Sequence, residues 1–409
     1  NRTRNAMPQP LTFLCISTYF KGNEFLRACK AAGNVVFLLT DKKLEHKPWA
    51  REAIDEIFYV QPDGEGRLDL EQVATGMAHL MRTRPADRLV ALDDFDVEKA
   101  AYLRECFRIP GMGQTTARYF RDKLAMRMRA AHAGLPQPRF SPLFSDAQIN
   151  EFADSIEFPC VVKPRGEAST TGIKKVFSKD ELWQVVHDLG DRRHHFLVEQ
   201  FRPGDVYHVD ALSVNGKQVF CQSSQYLSTP MEVAHGGGIF RSITVPYGSD
   251  DERQLCDFNQ KLLTAFNMNY SASHSEFIKG QDGQFYFLET ASRVGGAHLA
   301  EMVEAASGIN LWREWARVES AVARGETYEL PPVARQYSGI VISLARHAWP
   351  DTSGFTDPEI WWKMTEEHHV GLIVRSDDRD RVRQLLDDYA RRIQADFHAS
   401  APVASKPTH

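Results

Sequence analysis

Residues Ser273–Gly296 read SHSEFIKGQDGQFYFLETASRVGG, and the organisation of the chain is worked out from this stretch. Two runs of alternating apolar and polar residues, Ser273–Lys279 and Gln284–Glu289, flank the pair Asp282-Gly283. That pattern predicts an antiparallel hairpin closed by a type I′ turn, in which both central residues take positive φ. On this register Gln281 faces Gln284, Ile278 faces Phe287 and Glu276 faces Glu289. Carboxylates directly across a ladder repel one another. A cation between them removes the conflict, and a ligand set made only of oxygens suits a hard ion such as Mg²⁺ that also shares substrate phosphates. The plainer alternative is an exposed hairpin with an incidental acidic pair. Arg293 and Gly295-Gly296 follow at once, adding a fixed positive charge and backbone that a ligand can approach closely.

Working outward, 409 residues are enough for two or three domains with a large core. A hydrophobic content of 43% with 25% charged residues is that of an ordinary globular protein. The net charge of −5 argues against a general nucleic-acid surface. No apolar run approaches the roughly 18–20 residues of a membrane span, so no membrane partner is expected. The opening NRTRNAMPQP lacks the apolar stretch of a signal peptide, and residues 1–10 and 398–409 are expected to be disordered. Cys15, Cys29, Cys106, Cys160, Cys221 and Cys256 show no metal spacing. They are read as small buried hydrophobes in a reducing cytoplasm, with a thiol or zinc site the remote alternative. The pairs His194-His195 and His368-His369 are given no role.

Residues 11–118 alternate strands (Leu11–Ser17, Val35–Thr40, Ile57–Val60, Arg88–Leu92) with helices (Asn23–Ala32, Asp69–Arg82, Val97–Arg108), which implies a parallel α/β layer. The loop Thr18–Gly22 carries no dinucleotide fingerprint. Asp93 and Asp94 end a strand, where they face a ligand or cap the next helix. A helix over Arg118–Gly134 carries Lys123. Pro159–Pro164 is an apolar strand ending in Lys163, followed by a loop with Gly166, Ser169, Thr170, Thr171 and Gly172. Backbone amides of such a loop can fold over phosphates, with Lys163 meeting their charge; taken singly, Lys163 is equally a surface lysine. Strand FLVEQF (Phe196–Phe201) precedes a hairpin at Asn215-Gly216, a glycine-rich loop HGGGIF at 235–240 and a helix over 251–266. A helix over 298–323 follows the opening hairpin. Beyond the linker Leu330–Pro332, Ser338–Ala345, Val370–Arg375 and Asp380–Gln394 suggest a small α+β unit at 333–397. Arg241 either binds a substrate carboxylate or pairs on the surface.

The order of these pieces resembles the ATP-grasp superfamily, within it the branch of L-amino-acid ligases and biotin carboxylase. Its carriers, in sequence, are VEKAAYLRECFRIPGMG, RDKLAMRMRAAHAGLPQP, FPCVVKPRGEASTTGI, FLVEQFRPGDVYHVD and SEFIKG…FYFLETASRVGG. The resemblance implies a multidomain α/β and α+β protein. It would have a Rossmann-like domain at 11–118, a two-part nucleotide domain with a lid at 119–200 and a core at 201–325, and the C-terminal unit. Lys123 and Lys163 look like the two lysines on the ATP phosphates, and Ser169–Gly172 like the flap over them. Glu199, Gln200 and Phe201 resemble the hinge that holds adenine, and His208 and Asp210 a ribose or phosphate contact. Glu276 and Glu289 match the acidic pair for Mg²⁺, with Mn²⁺ an acceptable substitute. Arg293 matches the arginine that stabilises the transferred phosphate. Arg293, Gly295, Gly296 and Arg241 are the substrate candidates. Alanine at 291, where many members have asparagine, leaves the number of metals open.

The implied chemistry is activation of a small-molecule carboxylate by ATP as an acyl phosphate, followed by attack of an amine with release of ADP and phosphate. Such enzymes often pair as homodimers. A carboxylase making carboxyphosphate from bicarbonate, and an ATP-binding regulator without turnover, are the alternatives.

Overall fold

Strand and helix alternate through the first hundred residues because each strand is apolar on both faces and each helix carries one apolar stripe. In the computed structural model, which describes residues 9–166, 172–228, 233 and 238–400, this segment comprises β1 (Thr12–Ile16), α1 (Asn23–Ala31), β2 (Val35–Asp41), β3 (Glu56–Val60), α2 (Leu70–Met81), β4 (Arg88–Ala91) and α3 (Val97–Phe107). After α4 (Gln114–Arg118) and α5 (Lys123–His132) come β5 (Phe140–Pro142), α6 (Asp146–Ser155), β6 (Cys160–Pro164), β7 (Lys174–Val176), α7 (Lys179–Leu189) and β8 (Phe196–Gln200). Next are β9 (Asp205–Val214), β10 (Lys217–Tyr226), β11 (Phe240–Thr244), α8 (Asp250–Ala265), β12 (Ser271–Lys279) and β13 (Phe285–Ala291). The chain continues through α9 (Leu299–Ser307), α10 (Leu311–Arg324), β14 (Tyr337–Leu344), β15 (Ile360–Lys363), β16 (His369–Ser376) and α11 (Arg379–Asp396).

The chain divides into two units. The first runs to Ala117 and takes in Trp312–Leu330; the second comprises Arg118–Leu311 and the chain from Pro331. In the first, β3-β2-β1-β4 form an all-parallel sheet around Leu14, Ile16, Phe37, Leu89, Ala100 and Leu103. The parallel α/β layer expected from the alternation is therefore present. Residues 312–325 are expected in the nucleotide core. They belong instead to this unit, where Trp315 packs edge-on against Phe25 and Asn34 donates to Ser320.

The second unit holds two sheets. The smaller has the order β5-β8-β6-β7 and is covered by α6 and α7 through Ile149, Phe152, Leu182 and Val186. The larger has eight strands in the order β13-β12-β9-β10-β11-β14-β16-β15. The expected separate C-terminal unit is corrected here: β14 pairs with β11 over Phe240–Ile243, so the last strands complete the same sheet. Two expected helices are also broken. Asp122 caps α5 by accepting from Leu124 and Ala125, which separates it from α4. Gly308, at φ 74°, ends α9 before α10 begins. No helix among the described residues is long and apolar enough to cross a membrane. The flap residues Ser169, Thr170 and Thr171, half of the HGGGIF loop and most of the expected disordered ends lie outside the described residues.

Candidate active site

Cross-strand pairs share a face of a sheet, so the register places the side chains. Glu276 pairs with Glu289 on one side and with His208 on the other, and His208 pairs with Ser224. These four form a row across β13, β12, β9 and β10, beside a second row of Ala291, His274, Asp210 and Gln222 on the same face. The expected Glu276–Glu289 pairing is found, but its derivation needs correction. Only Gly283 takes positive φ, at 80°, and Gly280 pairs with Gln284 through a three-residue loop. That shifts the tip by one residue, so Ile278 faces Tyr286 rather than Phe287. A bulge between Glu276 and Phe277 then takes up the residue and returns Glu289 to its place opposite Glu276.

Burial, with Glu289 facing it, pushes the Glu276 carboxyl well above the usual carboxylate range. Lys123, at the first turn of α5, brings Nζ within 3.7 Å of Glu289 Oε2. The oxygen-only pair thus has the composition and the electrostatic tension that a hard divalent ion relieves. The donor set fits Mg²⁺. Arg293, half-buried just beyond β13, lowers the Glu276 carboxyl and so acts on the same cluster.

Lys163 is held from behind. Its Nζ lies 2.7 Å from Glu199 Oε2, and Arg127 Nε donates to the other oxygen of Glu199 at 2.6 Å. Burial drives Glu199 upward, but Arg127 and Lys163 hold it at about 2. Burial in turn pulls Lys163 below the usual amine range, against Glu199. Arg127 also donates to Gln137 Oε1 at 3.2 Å and to the Leu288 carbonyl, in the bulge of β13, at 2.6 Å. It therefore links α5, β8 and the carboxylate hairpin. The sequence reading missed Arg127; its signal was the i, i+4 spacing from Lys123 on one helix face.

Both Glu199 oxygens face cations, and its side chain positions Lys163. Gln200 and Phe201 follow it, with their amides donating to Arg139 and Pro159. His208 and Asp210 are fully buried and engaged with their neighbours. His208 Nδ1 is 2.7 Å from Asp210 Oδ2, His208 Nε2 is 2.7 Å from Ser242 Oγ, and His274 Nδ1 is 2.8 Å from Asp210 Oδ1. Burial pulls His208 below the usual imidazole range against Asp210, and the two histidines hold Asp210 well below its ordinary range despite its own burial. His274, two residues before Glu276 on the same face, was also missed. Gly295 packs on this network: a Cβ there would lie 2.8 Å from His274 Nδ1 and 3.0 Å from Asp210 Oδ1, so its small size serves packing. Gly296 is exposed with open space around it. Gly172 closes the flap at φ 78° beside Pro164. Arg241 faces the other side of the sheet, where it pairs with Asp387 at 2.8 Å beside a cavity of about 460 Å³ lined by Arg391 and Gln394; the surface-pairing alternative holds.

Comparison with known proteins accords with this arrangement. Residues 156–301 match the ATP-grasp domain. They form an ATP-grasp domain. The L-arginine-specific L-amino acid ligase of Bacillus subtilis is 24% identical over 323 residues, covering 76% of this chain and 75% of that protein. The crystal structure of an L-amino acid ligase from Bacillus licheniformis superposes with a TM-score of 0.71 at 16% identity, covering 96% and 99%. The N5-carboxyaminoimidazole synthetase of Staphylococcus aureus, complexed with ADP, gives 0.68 at 15% identity, covering 93% and 96%. The ATP-grasp domain contains Lys163, Glu199, both facing glutamates and Arg293, while Lys123 and Arg127 reach its residues from α5, which precedes it in the chain. Ala291 lies on the site face of β13, opposite His274, and brings no oxygen of its own to that position.

Proposed function

We propose that this chain is an ATP-dependent carboxylate–amine ligase that activates a small carboxylic acid, of the amino-acid class, as an acyl phosphate and joins it to an amine. The observation that carries this reading is the half-buried pair Glu276–Glu289, opposed across a hairpin and approached by Lys123, with Lys163 fixed nearby on Glu199. In this reading Glu276 and Glu289 hold one Mg²⁺, which supplies charge neutralisation for the nucleotide phosphates. Lys123 and Lys163 meet those phosphates from two elements, and Glu199 and Arg127 keep Lys163 aimed. Phosphoryl transfer to a carboxylate brings two anions together, so positioning and positive field are the main requirement, and no protein nucleophile is needed. Arg293 faces the charge that develops on the transferred group. The acyl phosphate hydrolyses readily, which gives a glycine- and threonine-containing loop at 166–172 its use as a cover.

The test is a matrix of acids and amines scored for ADP and phosphate. Release that requires both partners is expected, with no AMP or pyrophosphate. Release driven by bicarbonate alone, or nucleotide binding without release under any pairing, would overturn the ligase reading. Glu289→Gln should reduce turnover by at least about 100-fold, since it removes a charged ligand of the nucleotide-bound metal; near-normal turnover would reject the metal assignment.

A further inference from the structure

Alternation along β10 sends Cys221 and Ser223 to the face opposite the active site, where α8 covers them and supplies Cys256. The helix is fixed over this spot by Asn259, which donates to Gln218 Oε1 at 2.7 Å, and by Gln218, which donates to the Cys256 carbonyl at 3.3 Å. Ser223 Oγ lies 3.7 Å from Cys256 Sγ, and Cys221 lies beside the same sulfur. Both cysteines are half-exposed. Cys221 and Ser223 pull the Cys256 thiol below its ordinary range, while the same contact and burial push Cys221 up. A partly exposed cysteine lying beside a second thiol has the features of a reactive site with its own resolving partner.

We propose that Cys221 and Cys256 form a hydroperoxide-sensitive dithiol, a modification site on the back of the active-site sheet. The Cys256 thiolate attacks one oxygen of hydrogen peroxide; the O–O bond breaks, leaving Cys256 as a sulfenic acid and, after protonation, a water. The Cys221 sulfur then attacks the sulfenic sulfur. The S–O bond breaks, and the departing hydroxyl takes the Cys221 proton as a second water. Two thiols and one peroxide thus become one disulfide and two waters, with two electrons passing from sulfur to oxygen. The product ties α8 to β10, the strand that carries Ser224 and Tyr226 on its other face.

The remaining cysteines supply internal references. Cys15 and Cys29 are in contact with each other but wholly inaccessible, Cys160 is also buried, and Cys106 is exposed. The experiment treats the intact chain with hydrogen peroxide, blocks remaining thiols under native conditions and maps the peptides by mass spectrometry. The expected result is a linked Cys221–Cys256 peptide that is two hydrogens lighter and is reversed by a dithiol reductant. Cys15, Cys29 and Cys160 should stay reduced, oxidising about tenfold more slowly or less. Cys221→Ser should leave a sulfenic acid on Cys256 that a 1,3-dione traps. The proposal fails if wild-type Cys256 passes to sulfinic acid while Cys221 remains alkylatable, or if the pair oxidises no faster than Cys160. Mapping the wild type alone is sufficient to decide, should the serine variant fold poorly.

Discussion

Arg127 spends its guanidinium on three acceptors from three elements: Glu199, Gln137 and the Leu288 carbonyl. Removing it leaves Glu199 facing only Lys163 and strands a buried carbonyl. Arg127→Ala should therefore cost about 3–5 kcal/mol, read as a drop in urea midpoint at unchanged slope. Arg127→Lys keeps the charge without the fork and should recover only part of the loss. A cost near zero for the alanine variant would show that Arg127 is ornamental. The pH dependence follows from Glu199. Its folded value, about 2 against an ordinary 4.5, is depressed, so its contribution is complete above pH 4.5 and is lost as pH falls toward 2.

At the scale of the element, the two glycines after Arg293 separate into different kinds. Gly295→Ala forces a Cβ against the His274–Asp210 hydrogen bond and should destabilise by about 1–3 kcal/mol, whereas Gly296→Ala should stay within about 0.5 kcal/mol. Equal midpoints in thermal unfolding would contradict the packing account. The hairpin shows how far sequence reasoning reached. Opposed glutamates were legible only because two departures from the expected hairpin, a longer loop and a bulge, cancel. The three-residue loop and the bulge were not, since each depends on contacts from outside the hairpin: the Arg127 fork on the Leu288 carbonyl, and the Pro136 carbonyl that accepts from Phe287. Lys123 and Lys163 could be singled out by type and order. Their partners could not, because Glu199, Arg127 and the His208–Asp210–His274 network meet only through tertiary pairing. For the same reason Arg241, one residue from Ser242, had no sign in the sequence of the face it occupies.

Across the whole molecule, the two units carry different sensitivities to acid. In the first, Glu319 is buried beside Trp315, whose indole donates to it at 3.1 Å. Burial pushes its carboxyl up from 4.5 to about 7, against the pull of Arg104, the Trp315 hydrogen bond and Arg88. A raised folded value means that stability is complete below pH 4.5 and declines as pH rises to 7, by an amount of order 3 kcal/mol. Glu319→Gln should flatten that decline relative to wild type when unfolding is followed from pH 4.5 to 7.5; parallel curves would overturn the assignment. The chain order of the large sheet has a consequence during synthesis. β11 finds its outer neighbour, β14, only after nearly a hundred further residues, and β16 and β15 must then seal that side. Until they leave the ribosome, the growing chain presents the bare backbone of β11 to its surroundings. Translation must therefore pass through a window in which an almost finished sheet is at its most adhesive.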